Sequence, residues 1–287
     1  MSDAFIPYTL EEALSIMSTN KVIPFAGGTD LMVQHRREGG VSPSFEFPLL
    51  FLDKIEQLNR IETAKDKLII GAGVLLKDLV GDDRIPDLLK LIARQMAAVT
   101  TRNVATIGGN ISNASPAADT MPFLYIMNAT LVLQKSGNVR KVPVEDFITG
   151  PGQTCLQPDE LLVEIHIPQE SFDVVDYRKV GTRKAMALSK ISFAGLANFK
   201  DGVLSDFRIA MGAVAPKVVR DTNLENRLTG SSKKEITGLL PEILKGYEKH
   251  IQPINDARST MQYRKSVSLD MIQAFIEKKI LVDEKMK

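Results

Sequence analysis

In the first half of the chain, short stretches with the apolar spacing of helices alternate with short stretches that have the pattern of strands. Thr9 and Glu12 have the spacing of a capping box, and the helix predicted after them has an apolar face of Leu10, Ala13, Leu14 and Met17. A second helix is predicted over residues 86–98, with Leu88, Leu91, Ile92 and Gln95 on one face. Strands are predicted at residues 21–25, 49–52, 58–62, 67–71, 130–134, 139–142 and 161–167.

The second half has a simpler order. Three strands, predicted at residues 174–180, 191–199 and 204–214, are followed by helices at 218–228, 233–249 and 256–279. The polar segment 168–173 separates the halves, so two domains are expected, at residues 1–170 and 171–287. The fold class is therefore α+β: a mixed first domain, then a three-stranded antiparallel sheet with helices.

Composition narrows the function classes. The 287 residues are 44% hydrophobic and 25% charged, and a net charge of +1 gives no electrostatic basis for nucleic-acid binding. No apolar run reaches the roughly 18–20 residues that span a bilayer, and the N-terminus shows no secretory signal. We therefore expect a cytoplasmic protein without membrane insertion.

The single cysteine limits the chemistry of the chain itself. Cys155 can form no internal disulfide and cannot alone hold an iron–sulfur cluster, which normally takes four cysteine ligands. The three histidines are scattered, and His166 is expected on the polar face of its strand. Because no metal-ligand spacing is present, no metal site is predicted here.

Two glycine-rich loops are the most informative features. Residues 26–31 read Ala-Gly-Gly-Thr-Asp-Leu, and residues 106–110 read Thr-Ile-Gly-Gly-Asn, continuing to Ser-Pro-Ala-Ala-Asp at 115–119. Glycine tolerates positive φ and close approach of a ligand, and successive N–H groups at such turns bind anions. Neither the GxxxxGK phosphate loop nor the GxGxxG dinucleotide fingerprint is present. The loops indicate two walls around a polyphosphate or dinucleotide; the alternative is that they serve only chain reversal.

These loops, in this order, closely resemble those of the FAD-binding subunits of molybdenum hydroxylases, the family of xanthine dehydrogenase and aerobic carbon monoxide dehydrogenase. The similarity runs nearly from end to end and includes Leu156-Gln157-Pro158-Asp159-Glu160, Tyr177-Arg178-Lys179, residues 210–216 and Tyr263-Arg264. It implies a two-part FAD-binding domain of the vanillyl-alcohol-oxidase type, followed by the family's C-terminal domain.

The resemblance also implies which residues contact FAD. In the family the first loop surrounds the pyrophosphate, which here designates Ala26, Gly27, Gly28, Thr29, Asp30 and Leu31. The second loop completes the diphosphate and ribityl contacts, which designates Thr106, Gly109, Asn110, Asn113 and Asp119. Leu162 and Lys179 match positions near the isoalloxazine, and Met96 and Ala97 match a stretch near the adenine or the flavin.

Each of these residues has a structural alternative. Thr29, Asp30 and Asp119 have side chains that commonly cap helices. Lys179 and Arg183 could be solvated charges on an edge strand. The Tyr263-Arg264 pair is expected to dock the last helix rather than to act in catalysis.

The function implied by the resemblance is electron transfer through FAD, with no catalytic acid or base supplied by this chain. The family's middle subunit works with a large molybdopterin-binding subunit and a small subunit that carries 2Fe–2S clusters, and it passes electrons to NAD or another acceptor. A xanthine-dehydrogenase-like enzyme is expected from residues 181–186 and 191–199. The alternatives are carbon monoxide, nicotinate or aldehyde dehydrogenase, a stand-alone FAD-dependent oxidoreductase, or a scaffold that has lost FAD.

Overall fold

The computed structural model describes residues 4–37, 39, 41, 43–184 and 186–282. The strands are β1 (Ala4–Phe5), β2 (Ile23–Phe25), β3 (Leu49–Phe51), β4 (Ile61–Thr63), β5 (Lys67–Gly71), β6 (Thr130–Lys135), β7 (Asn138–Pro143), β8 (Ile148–Gly150), β9 (Gln153–Thr154), β10 (Leu161–Pro168), β11 (Val174–Val180), β12 (Ile191–Lys200) and β13 (Val203–Gly212). The helices are α1 (Leu10–Thr19), α2 (Leu31–Gln34), α3 (Leu76–Gly81), α4 (Asp87–Gln95), α5 (Val99–Arg102), α6 (Ile107–Ser112), α7 (Thr120–Ile126), α8 (Val144–Phe147), α9 (Thr222–Leu228), α10 (Lys233–His250) and α11 (Met261–Phe275).

The chain divides into two compact units. The first comprises Met1–Ser115 and Asn128–Gln169, and the second comprises Pro116–Met127 and Glu170–Lys287. The second unit therefore includes α7 in addition to the C-terminal part of the chain. None of the helices in the described ranges is both long and apolar enough to cross a membrane.

The first unit contains three sheets. One is the parallel set β1-β3-β2, one is the antiparallel set β4-β5-β10-β6-β7, and the third is the pair β8-β9. The predicted face of α1 is confirmed, since Leu10, Ala13, Leu14 and Met17 are buried against Leu50, Leu58 and Val132. Strand β2 leads directly into the first glycine loop, and α6 follows the start of the second.

The start of α1 follows the predicted capping box with one difference. Thr9 Oγ1 accepts from Glu12 N at 3.1 Å, but the Glu12 carboxylate accepts from Tyr8 N at 2.8 Å instead of from the cap residue. A complete capping box is formed at α10 by Ser232 and Glu235. The same Ser/Thr-x-x-Glu spacing thus pairs the glutamate with the N–H of the residue before the cap in α1 and with the N–H of the cap residue itself in α10.

In the second unit, strands β11-β12-β13 form the predicted three-stranded antiparallel sheet. Its core centres on Phe193, Phe207 and Phe275. The ring centroid of Phe275 lies 5.4 Å from that of Phe193 and 5.7 Å from that of Phe207. Gly195 is required there because a Cβ would lie 2.8 Å from Phe275 Cζ. The α+β order predicted from the periodicity is confirmed for both units.

Several predicted boundaries and faces are wrong. Residues 56–59 form a 3₁₀ turn, so β4 begins only at Ile61, and the helix predicted over 86–98 ends at Gln95. Its buried residues are Leu88, Leu89, Ile92 and Ala93, while Leu91 is 40% exposed, because the helix packs with a face rotated from the predicted one. His166 lies on the polar face of its strand, as predicted, but it is buried there between Glu164 and Lys67. The helix predicted over 256–279 begins only at Met261 and ends in a π-helical turn, Ile276–Ile280.

A buried ion pair in the first unit gives a pH prediction. Arg140 donates two hydrogen bonds of 2.7 Å to Glu160, whose side chain is 2% exposed, and this guanidinium lowers the pKa of Glu160 below its usual value. The resulting stability is present above the unfolded-state pKa of about 4.3 and is lost as pH falls through the lowered pKa.

Replacing Glu160→Gln should therefore lower the free energy of unfolding by about 1–3 kcal/mol at neutral pH and flatten its dependence between about pH 6 and pH 3. Urea unfolding at several pH values measures both effects. Asp159→Asn is the matched control, because Asp159 is 37% exposed and 3.7 Å from Lys135. Equal slopes for Glu160→Gln and the parent would contradict this role of the pair.

Candidate functional site

The two glycine loops lie side by side in the first unit. A Cβ on Gly27 would lie only 2.0 Å from Val104 O, so the first loop packs directly on the backbone that leads into the second. Asn113 Nδ2 donates to Asp30 Oδ2 at 3.0 Å, and Gln34 Nε2 donates to Asn113 Oδ1 at 3.1 Å. The structure thus brings together the two segments that the sequence singled out.

The first loop offers backbone donors. Gly28 has φ +66°, a conformation that favours glycine, and a Cβ there would lie 2.3 Å from Phe25 Cζ. Among the residues that the structure describes, the N–H groups of residues 27–30 have no hydrogen-bond acceptor. Asp30 occupies the N-cap position of α2 without a side-chain capping bond, so capping alone is the wrong account of this residue. Successive unused N–H groups of this kind suit an anion.

The second loop differs from the first, because its backbone donors are already used. Ile107 N and Gly108 N donate to Val74 O and Ala72 O, while Gly109 N donates to Thr106 Oγ1 at 3.0 Å. Gly108 is needed for packing, since a Cβ would lie 2.5 Å from Ala72 Cβ. Gly109 is exposed and lacks positive φ, so only its open surroundings suit a ligand. The second loop therefore does not offer a run of unused backbone amides as the first does.

Two further predicted positions of the first unit lie at irregular backbone. Ala97 is exposed with φ +44°, and Arg102 holds this turn by donating to Met96 O at 2.7 Å and to Ala97 O at 3.0 Å. Leu162 is buried in β10, where the pairing with β6 shifts register between Leu162 and Glu164. Unusual backbone of both kinds is common near functional sites.

The second unit holds Asp119 and Lys179 in a buried polar cluster. Lys179 Nζ lies 2.6 Å from Asp119 Oδ2, and each side chain is 8% exposed. Ser189, which is fully buried, donates to Asp119 Oδ1. Asp119 precedes α7 but makes no side-chain capping bond, and Lys179 is not a solvated charge; both structural alternatives are therefore wrong.

Tyr177 and Ser189 are polar residues of this cluster that the sequence analysis missed. The Tyr177 hydroxyl is buried with no hydrogen-bond partner in the described part of the chain, and burial together with the Asp119 charge raises its pKa. Its position two residues before Lys179 on β11 was an available signal, because alternate strand residues share a face. Nothing in the sequence around Ser189 indicates its contact.

Within the Tyr263-Arg264 pair, Arg264 has the predicted docking role. Arg264 is 3% exposed, and it donates to Ala213 O at 3.0 Å and to Asp256 Oδ1 at 2.7 Å. Two hydrogen bonds from Arg258 to Asp256 support the same carboxylate. The predicted docking of the last helix is therefore confirmed for Arg264, whereas the Tyr263 side chain is 44% exposed.

The comparisons with known proteins decide the family. A model of the FAD binding domain in molybdopterin dehydrogenase matches residues 1–170. The chain belongs to this family. A model of the CO dehydrogenase flavoprotein C-terminal domain matches residues 176–279. The two family models together cover nearly the whole chain.

Similar full-length proteins agree with this membership. The glyceraldehyde dehydrogenase medium chain of Sulfolobus acidocaldarius is 30% identical over 263 residues, which cover 90% of this chain and 91% of that protein. The xanthine dehydrogenase FAD-binding subunit of Escherichia coli is 29% identical over 280 residues, or 95% and 92% of the two chains.

Solved structures support the fold. CO dehydrogenase from Oligotropha carboxidovorans superposes with a TM-score of 0.86 over 96% of each chain at 22% identity. Quinoline 2-oxidoreductase from Pseudomonas putida gives 0.84 over 97% of this chain and 96% of that chain, also at 22% identity. The predicted fold and family are therefore confirmed, and the chain is a flavin-binding oxidoreductase component whose cofactor is FAD.

The residues of this chain fit that cofactor. The acceptor-free amides of the first loop suit a pyrophosphate, and the unpartnered Tyr177 hydroxyl suits a polar ligand atom. Neither feature is explained by the packing of its own unit.

Gly109→Val tests the second loop. A valine there should weaken FAD binding strongly, because it adds a side chain at an exposed position of the loop; its Cβ would lie 2.9 Å from Thr106 Oγ1, so only this capping hydroxyl has to shift. Gly81→Val is the control, since Gly81 is also helical and a Cβ there has no atom within 4 Å. FAD titration monitored by flavin fluorescence measures the affinity; an unchanged value for Gly109→Val would exclude cofactor contact at this loop. Gly28→Val is less informative, because its positive φ and Phe25 would strain the fold itself.

Proposed function

We propose that this chain is the FAD-carrying medium subunit of a multi-subunit molybdenum hydroxylase. The observation that carries the proposal is the end-to-end similarity to a protein named a medium chain and to one named an FAD-binding subunit, each covered over more than nine-tenths of its length. Its partners would be a large molybdopterin-binding subunit and a small subunit with 2Fe–2S clusters. Electrons from substrate oxidation on the large subunit would pass through those clusters to the FAD held here.

The proposed FAD contacts follow the resemblance and the geometry within each unit. The N–H groups of residues 27–30 would hold the pyrophosphate, with Ala26 and Leu31 flanking them, while Thr106, Gly109, Asn110 and Asn113 would complete the diphosphate and ribityl contacts. Asp119 would accept from a ribose or ribityl hydroxyl. Leu162 would supply an apolar wall and Lys179 a cation near the isoalloxazine, with Met96 and Ala97 beside the adenine or the flavin.

FAD supplies the redox chemistry when bound, and the side chains supply binding, orientation and electrostatics. A cation at Lys179 stabilises the negative charge of a reduced flavin and raises its potential. The 2.6 Å contact with Asp119 offsets part of that positive charge. We therefore propose that the balance between these two residues tunes the flavin.

The substrate is proposed as that of a xanthine-dehydrogenase-like enzyme, acting through NAD in the cytoplasm. The glyceraldehyde and xanthine dehydrogenase relatives are 30% and 29% identical, so identity does not separate an aldehyde from a purine. A nicotinate dehydrogenase FAD-subunit from Eubacterium barkeri, 29% identical over 199 residues, adds a third substrate class. Carbon monoxide is a further alternative.

Purification of the tagged chain from its native source tests the subunit proposal. We expect two partner chains to co-purify, one with molybdopterin and one with iron and acid-labile sulfide, and we expect substrate hydroxylation only in that complex. The isolated chain should bind about one FAD and, if NAD is the acceptor, its flavin should be reduced by NADH without partners. Recovery of a fully active monomer would overturn the proposal in favour of a stand-alone flavoenzyme.

A further inference from the structure

Three chain segments of the second unit meet at the Asp119 carboxylate. Asp119 lies at the start of α7, Lys179 is on β11, and Ser189 lies two residues before β12. Lys179 donates to Oδ2 and Ser189 donates to Oδ1, so each carboxylate oxygen has its own donor. Ser189 is fully buried, and water therefore does not compete for this bond.

The Ser189 bond restricts how Asp119 can meet Lys179. A carboxylate held by one cation alone can turn about its Cβ–Cγ bond and present both oxygens to the ammonium group. The hydroxyl on Oδ1 opposes that rotation, because turning would leave a buried charged acceptor without its hydrogen bond. With Oδ1 held, only Oδ2 is presented to Lys179.

We propose that Ser189 is a positioning residue that acts through Asp119 to keep the Lys179 ammonium oriented toward FAD. The inference rests on the proposed function, which assigns Lys179 to the isoalloxazine. Without Ser189, both oxygens of Asp119 contact the Lys179 ammonium and draw it away from the flavin. The Asp119 carboxylate also loses the Ser189 O–H dipole, which partly offsets its negative charge. Both changes destabilise reduced FAD relative to oxidised FAD, so the midpoint potential falls.

Ser192 provides a matched control three residues along the chain. It is also fully buried, but its hydroxyl has no hydrogen-bond partner among the described residues. Ser192→Ala therefore removes the same atom at the same burial without removing a hydrogen bond. A general effect of emptying a buried serine site would appear in both variants.

The experiment measures the midpoint potential and the dissociation constant of FAD in the full chain, by spectroelectrochemistry and by titration. In Ser189→Ala we expect reduced FAD to be bound about tenfold less tightly relative to oxidised FAD, which lowers the potential of the two-electron couple by about 30 mV. Ser192→Ala should keep the parent potential. Equal potentials for Ser189→Ala and Ser192→Ala would overturn the proposal.

Two more variants keep the test decisive. If Ser189→Ala does not fold, Ser189→Cys replaces it, because a thiol of similar size is a weaker donor and should lower the potential by a smaller amount; an unchanged potential would overturn the proposal. Lys179→Met separates this inference from the proposed function. An unchanged potential in Lys179→Met would show that the assignment of Lys179 to FAD is wrong, whereas a shift there without one in Ser189→Ala would remove only the role of Ser189.

Discussion

The geometry of the first unit depends on one close backbone contact. Gly27 lies so near Val104 and Ala105 that any Cβ would overlap the Val104 carbonyl. This contact places the segment after β2 directly against the segment before α6, and the Asp30–Asn113 hydrogen bond continues the alignment. Without it, the two glycine loops would be separate turns, and the first could not present its amides beside the Asn side chains of the second.

The four glycines of the two loops have different structural roles. Gly27 and Gly108 are packing residues that allow backbone to approach backbone, and Gly28 supplies a left-handed turn. Gly109 is the exposed member, and a Cβ there would meet only the Thr106 hydroxyl, at 2.9 Å. In both Gly-Gly pairs the first glycine allows close packing, whereas the second supplies a left-handed turn in the first loop and an exposed position in the second. Only the first loop keeps successive N–H groups, those of residues 27–30, without an acceptor in the described part of the chain.

The second unit depends on buried ionic contacts. In each of three ion pairs, Asp119 with Lys179, Glu225 with Arg220, and Asp256 with Arg264, at least one side chain is nearly inaccessible. Such pairs add little net stability, because removing charges from water costs about as much as their attraction returns, but breaking one leaves a costly unpaired charge. The first pair connects the start of α7 with β11, and the other two connect their helices to β13 or to the residue after it, because Glu225 accepts from Ile209 N and Arg264 donates to Ala213 O.

The sequence by itself determined the element types, the two glycine loops and the family. Periodicity specified α1 and strands β11 to β13, because amphipathic periods and turn residues act locally, and the loop motifs carried the resemblance that the comparisons confirmed. The tertiary structure decided which glycine N–H groups stay available, where α4 turns its face, and that Tyr177 and Ser189 join Asp119 and Lys179. These features arise from contacts between residues distant in the chain, such as Asp119 and Ser189. A local sequence pattern does not specify whether a backbone N–H is already paired with a carbonyl from a distant segment.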